Sequence, residues 1–128
     1  MAVLGFTTVS SKLKQQAEAV KNKGIESFGV SVIDDLDGKH EAIKSSNAQL
    51  HLFMQLKRGN ITHLVFQDPE QVDVFFANIV DYYGKEKADK ALSAPEYIAV
   101  GGSHEALKAR GIQSVKICEN FEDAVNSL

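Results

Sequence analysis

A chain of 128 residues with 44% apolar and 24% charged side chains has the material for one hydrophobic core, and residues 1–128 read as a single domain needing neither disulfides nor a structural metal. A formal charge of -3 carries no basic excess, which argues against nucleic acid and against an anionic membrane surface as partners. The one cysteine, Cys118, has no internal partner, the apolar run Ala2 to Phe6 is too short for a secretory signal, and no stretch reaches membrane-span length, so a cytoplasmic protein is expected.

Ala2 to Phe6 is an unbroken apolar run, the pattern of a strand buried on both faces. Thr7, Thr8, Ser10 and Ser11 follow as a hydroxyl-rich turn suited to helix capping. Leu13, Ala17 and Val20 recur at helical spacing before Lys21, Lys23 and Gly24 close the helix. Phe28, Val30 and Val32 alternate with Ser27, Gly29 and Ser31, as in a half-exposed second strand. The acidic turn Asp34-Asp35-Leu36-Asp37-Gly38 leads to a second helix with Ile43, Leu50, Phe53 and Met54 on one face, ended by Gly59 and Asn60. Thr62 to Phe66 is a third strand.

Asp68-Pro69-Glu70-Gln71 is the clearest local signal: Asp68 can cap, Pro69 suits the first helical position, and Gln71 completes a capping box. The helix behind it carries Val72, Phe75, Phe76, Ile79, Val80 and Tyr83 as one stripe. Tyr97 to Val100 is a fourth strand, and Gly101-Gly102-Ser103 turns into a short helix that stops at Gly111. Val115 to Cys118 is a fifth strand, and Asn120 caps a last helix with Phe121, Ala124, Val125 and Leu128 inward.

Strands alternating with helices imply parallel crossovers and an α/β sandwich with helices on both faces of one sheet. The first, third and fourth strands are apolar throughout and so central, while the second and fifth alternate and so lie at the edges. The expectation is a flavodoxin-like five-stranded parallel sheet in the order 2-1-3-4-5, with ligands beyond the C-terminal strand ends at Thr7–Ser11, Gln67–Glu70 and Gly101–His104. Helix N-termini there favour a small anionic ligand, and the candidate binding residues are Thr7, Thr8, Ser10, Gly101, Gly102, Ser103 and His104. His40, His51, His63 and His104 lack metal-type spacing, so no metal is expected. Asp68 reads as a helix cap before a phosphate acceptor, since Thr7 and Thr8 stand where a phospho-receiver carries an acidic pair.

The segments Ile61-Thr62-His63-Leu64-Val65-Phe66-Gln67-Asp68-Pro69-Glu70-Gln71-Val72 and Ile98-Ala99-Val100-Gly101-Gly102-Ser103-His104-Glu105-Ala106-Leu107-Lys108-Ala109-Arg110-Gly111-Ile112 resemble one domain of uroporphyrinogen-III synthase. The helix Leu13 to Gly24 and the closing Glu119-Asn120-Phe121-Glu122-Asp123-Ala124-Val125 also fit that layout. The resemblance implies a cofactor-independent lyase of tetrapyrrole biosynthesis, closing hydroxymethylbilane into a ring between two such domains. A single domain then needs a second copy, as a homodimer, to form the cleft. The sequence departs from the family at Gln67-Asp68, where the family has Thr-Ser, and at the shorter turn Gly101-Gly102-Ser103. It departs again at Ser31, which stands where a tyrosine assists loss of the leaving hydroxyl. Three functional readings therefore stand together: a tetrapyrrole-cyclising or tetrapyrrole-binding domain, a non-catalytic flavodoxin-like module for a small anionic ligand or protein partner, and a small flavin or phosphate-ligand protein.

Overall fold

The computed structural model describes the whole chain, Met1–Leu128. Its strands are β1 (Val3–Val9), β2 (Glu26–Asp34), β3 (Glu41–Ala42), β4 (His63–Phe66), β5 (Glu96–Ala99) and β6 (Val115–Ile117). Its helices are α1 (Leu13–Asn22), α2 (Asn47–Lys57), α3 (Pro69–Tyr83), α4 (Lys85–Leu92), α5 (Ser103–Ala109) and α6 (Phe121–Asn126). They build one sheet in the order β3-β2-β1-β4-β5-β6. The pairs β2–β1, β1–β4, β4–β5 and β5–β6 are parallel, and β3 runs antiparallel to β2.

The expected order 2-1-3-4-5 survives as the parallel body of this sheet, but the count of five does not: β3 adds a sixth strand and takes the rim expected for β2. β3 is two exposed residues, pairing Ala42 with Ile33 and Glu41 with Asp34. The chain behind it is pinned by its Ile43 carbonyl, which accepts from Asn78 Nδ2 at 2.8 Å and from Gln49 Nε2 at 3.0 Å. Gln49 is fully buried, and its Oε1 accepts the other Asn78 N–H at 2.8 Å, so helices α2 and α3 grip the strap between them. Ile43 thus lies ahead of α2 rather than on its face; the helix begins at the cap Ser46, whose hydroxyl accepts from Gln49 N at 3.1 Å. Met54 points outward, and Leu52, Phe53 and Leu56 form the buried face instead.

Each face of the sheet has its own core. Leu52, Phe53, Leu56, Val72, Phe75, Phe76, Ile79, Ala88, Leu92 and Leu107 bring α2, α3, α4 and α5 onto one face. Val20, Ala124 and Val125 bring α1 and α6 onto the other, over Leu4, Phe6, Val65, Ile98 and Val100. Helix α4, absent from the expected elements, packs through Ala88, Ala91 and Leu92. Gly29 in β2 is obligatory: the Phe6 ring lies against it, and an added Cβ would sit 2.7 and 2.8 Å from two ring-edge carbons. No helix is long and apolar enough to cross a membrane.

Candidate functional site

The chain leaves β1 for β2 on one side and later returns to β4 on the other, so the crossovers at these two neighbours diverge onto opposite faces. A crevice opens at such a switch point, outside the C-terminal strand ends. Here it is a cleft of about 750 Å³. Thr8, Val9, Gln67, Gln71 and Val100 form its floor, Lys12, Gln15, Gln16 and Ala19 form the α1 wall, and Glu119 to Glu122 with Val125 form the α6 wall.

The floor is a network of amides. Gln67 Nε2 donates to the Thr7 carbonyl at 2.8 Å and to Gln16 Oε1 at 2.8 Å, while Gln67 Oε1 accepts from Gln16 Nε2 at 2.9 Å. A backbone carbonyl only accepts, so the contact with Thr7 fixes which Gln67 atom is nitrogen, and reciprocity fixes Gln16 in turn. Gln71, 5% exposed, accepts the Thr7 hydroxyl proton at Oε1 over 2.8 Å. Its Nε2 and the hydroxyl of Thr8, itself 1% exposed, bond to nothing within the chain. No completely buried side-chain nitrogen or oxygen lacks a partner, so both atoms reach the cleft.

Charge at the rim is mixed, with Lys12 and Lys23 facing Asp68, Glu119 and Glu122. Asp68 caps α3 by accepting from Glu70 N at 2.8 Å, as expected, but Gln71 does not close the capping box; its amide turns to Thr7 instead. Asn120 caps α6 through Asp123 N at 2.8 Å. Asp35 accepts both the Ser11 hydroxyl and, at 2.8 Å, the Ser11 N–H, and these two bonds hold its carboxyl below the ordinary range. A protein carboxylate thus already sits where an anion would meet the start of the first helical segment.

The residues singled out from sequence are gathered at this edge but fall into two groups. Thr7 and Thr8 do not cap a helix; β1 runs on through them to Val9, and both are buried. Ser10 does not cap either, its hydroxyl lying 2.7 Å from that of Ser31. Of the whole set Thr8 lines the cleft. Gly101 to His104 form the neighbouring turn after β5. Gly101 and Gly102 adopt φ of 59° and 80°, and a Cβ on Gly101 would overlap the Gln67 carbonyl oxygen. Ser103 is fully buried, accepting from Val100 N at 3.1 Å and donating to Phe66 O at 3.0 Å. His104 Nδ1 lies 3.7 Å from Glu105. Gln67 and Asp68, from the expected strand-end segment Gln67–Glu70, do line the cleft; the cleft residues missed from sequence are Gln16, and Gln71 and Phe121, which were read only as a capping-box residue and a core residue. A glutamine leaves no periodic signal, and only the identity of strand ends β1 and β4 could have pointed to them.

No protein-family model matches the chain, and no curated protein does. Among solved structures it is similar to a mutant uroporphyrinogen III synthase from the extremely thermophilic bacterium Thermus thermophilus. The identity is 20% and the TM-score 0.54, over 97% of this chain and 48% of that one. It is also similar to the RPS4 and RRS1 TIR domain heterodimer, with 18% identity and a TM-score of 0.52 over 99% of this chain and 95% of that one. The chain therefore spans about half the length of the synthase chain it matches. At these identities the likeness is one of fold, and two unlike proteins share it.

Proposed function

We propose that this domain is a binding module whose ligand is a small polar molecule held in the cleft beyond β1, β4 and β5. One observation carries the reading. Gln71 and Thr8 are almost entirely buried, yet each turns an unpaired polar atom toward the cleft. Both atoms open onto solvent through the cleft, so a ligand that pairs them exchanges water contacts for direct hydrogen bonds in fixed positions. A binding role is the simpler reading, because Asp68 is engaged as a cap and Lys12, Lys23, Glu119 and Glu122 make no hydrogen bond to a second polar side chain that would prime them for proton transfer. The test is a thermal-shift screen of polar metabolites repeated on Ala19→Trp, which fills the cleft from the α1 wall, and on Ala77→Trp, which is exposed on α3. Stabilisation abolished by the first variant and kept by the second supports the reading. Stabilisation indifferent to both, or found for no compound, removes it.

The likeness of 97% of this chain to half of a uroporphyrinogen III synthase favours a second reading. In it two copies face each other as a homodimer across their C-terminal sheet edges. A linear tetrapyrrole, hydroxymethylbilane, is bound or cyclised between Thr7, Thr8, Ser10, Gly101, Gly102, Ser103 and His104 of each copy, without a cofactor. The rim's carboxylates and Asp35 oppose such a polyanion. Hydroxymethylbilane consumption with the ring isomer identified, measured beside sedimentation equilibrium, decides it: turnover confined to the dimer supports the reading, and an inert dimer ends it.

A further inference from the structure

We infer that Gln67 is the recognition element of the cleft and that its ligand presents a lactam edge, an N–H beside a C=O, on a flat ring. The inference rests on the binding reading above and deepens it. The Thr7 carbonyl holds the Gln67 amide in one orientation, leaving one N–H and Oε1 side by side toward α1. The complement of that pair is an acceptor next to a donor in cis geometry. In this structure Gln16 supplies it from the middle of α1, through two bonds of 2.8 and 2.9 Å. Those two are its only side-chain bonds, so Gln16 stands in for a ligand. A lactam can replace it bond for bond, breaking two N–H···O hydrogen bonds and forming two, while the freed side chain swings to water. A carboxylate cannot do this, because it offers two acceptors and sets one of them against Gln67 Oε1. The Gln71 N–H and the Thr8 hydroxyl stand ready for further polar atoms on the same ring. Val9, Val100 and Phe121, whose ring centroid is 4.9 Å from that of Phe6, supply apolar surface for its flat face.

The experiment uses the full chain, ¹⁵N-labelled, titrated to millimolar concentration with inosine and with purine riboside. These two probes differ in the lactam edge alone. Inosine is expected to shift the side-chain amide signals of Gln16 and Gln67 saturably, and purine riboside to bind at least about tenfold more weakly, since it has no N–H for Gln67 Oε1 and cannot pair both amide atoms at once. Gln16→Ala removes the internal competitor and is expected to tighten inosine several-fold; weakening in that variant, with the fold retained in the remaining spectrum, overturns the displacement argument. Equal affinity for the two nucleosides, with shifts at the cleft, overturns lactam recognition and leaves the binding cleft standing. Absence of any shift with inosine also overturns the lactam. Inosine binding that survives Ala19→Trp would instead count against the cleft itself.

Discussion

Replacing Ser103 by alanine separates a structural hydroxyl from a ligand-binding one. Ser103 Oγ accepts from Val100 N and donates to Phe66 O, so it ties the end of β5 to the end of β4. Each neutral hydrogen bond contributes about 0.5–1.5 kcal/mol, which places the loss of both near 1–3 kcal/mol. The upper end is out of reach here, because Val100 N also donates directly to Phe66 O at 2.9 Å. Neither backbone group is orphaned when the hydroxyl goes, and the cost of a buried unsatisfied group is avoided. The expected loss is about 1–2 kcal/mol, read as a lower urea midpoint at unchanged slope. A midpoint that does not move refutes the structural account and returns Ser103 to a ligand-binding role. A loss above about 4 kcal/mol refutes the claim that the direct Val100–Phe66 bond suffices.

Gly29→Ala forces a methyl into the buried Phe6 ring and should cost about 1–3 kcal/mol in the same melts. Gly5→Ala meets the methyl tips of Leu64 at 2.9 Å and Leu52 at 3.0 Å, which can rotate away, with Ile61 Cγ2 in ordinary contact at 3.4 Å, so it should cost less; the reverse ranking contradicts the packing described. Asp68→Ala should cost about 1 kcal/mol through the lost cap of α3, and an unchanged melt would show that the carboxylate serves something else. Burial holds the Tyr97 phenol far above the ordinary tyrosine range, with its hydroxyl donating to Leu92 O at 2.6 Å. The unfolded chain releases that proton near pH ~10 and the folded one does not. Its contribution is therefore complete below about pH 10 and drains away as pH rises toward the folded value. Tyr97→Phe should lower stability at neutral pH and flatten the alkaline limb of a stability–pH curve; an equally steep limb in the variant assigns that limb to another group.

The parallel body of the sheet was legible because burial writes itself into strands. Leu64, Val65 and Phe66 are buried on both faces, and so are Tyr97, Ile98 and Ala99. Strand β3 was not legible, since two exposed residues carry no period. Ile43 draws the expected second helix forward because an apolar residue fits a helical face as well as a strap. The better signal is Ser46, with Gln49 three residues on. Helix α4 presents Ala88, Ala91 and Leu92, a stripe of mostly small residues too faint to stand out beside α3. At the site, the hydroxyls of Thr7 and Thr8 suggest a turn, although both residues are β-branched and suit a strand. Gln71 occupies the capping-box position of α3, yet the Thr7 hydroxyl beneath it offers a buried partner, and the long-range bond won.

The strap at β3 has a bearing on how the molecule behaves in company. It covers the outer rim of β2 at Ile33 and Asp34, with Ile43 N adding a bond to Val32 O at 2.9 Å, and the rest of a nine-residue strand carries no neighbour on that side. An open strand rim is a template for other chains, and nature usually blunts it. Two residues, anchored by the grip of Gln49 and Asn78 on the Ile43 carbonyl behind them, are enough to cap the end of β2 where its apolar side chains are most buried. Cut that grip and the rim lengthens to the span at which strands begin to stack on one another. The buried amides of α2 and α3 therefore guard the rim as well as the fold, and their loss would register as turbidity at high concentration beside a lower melting point.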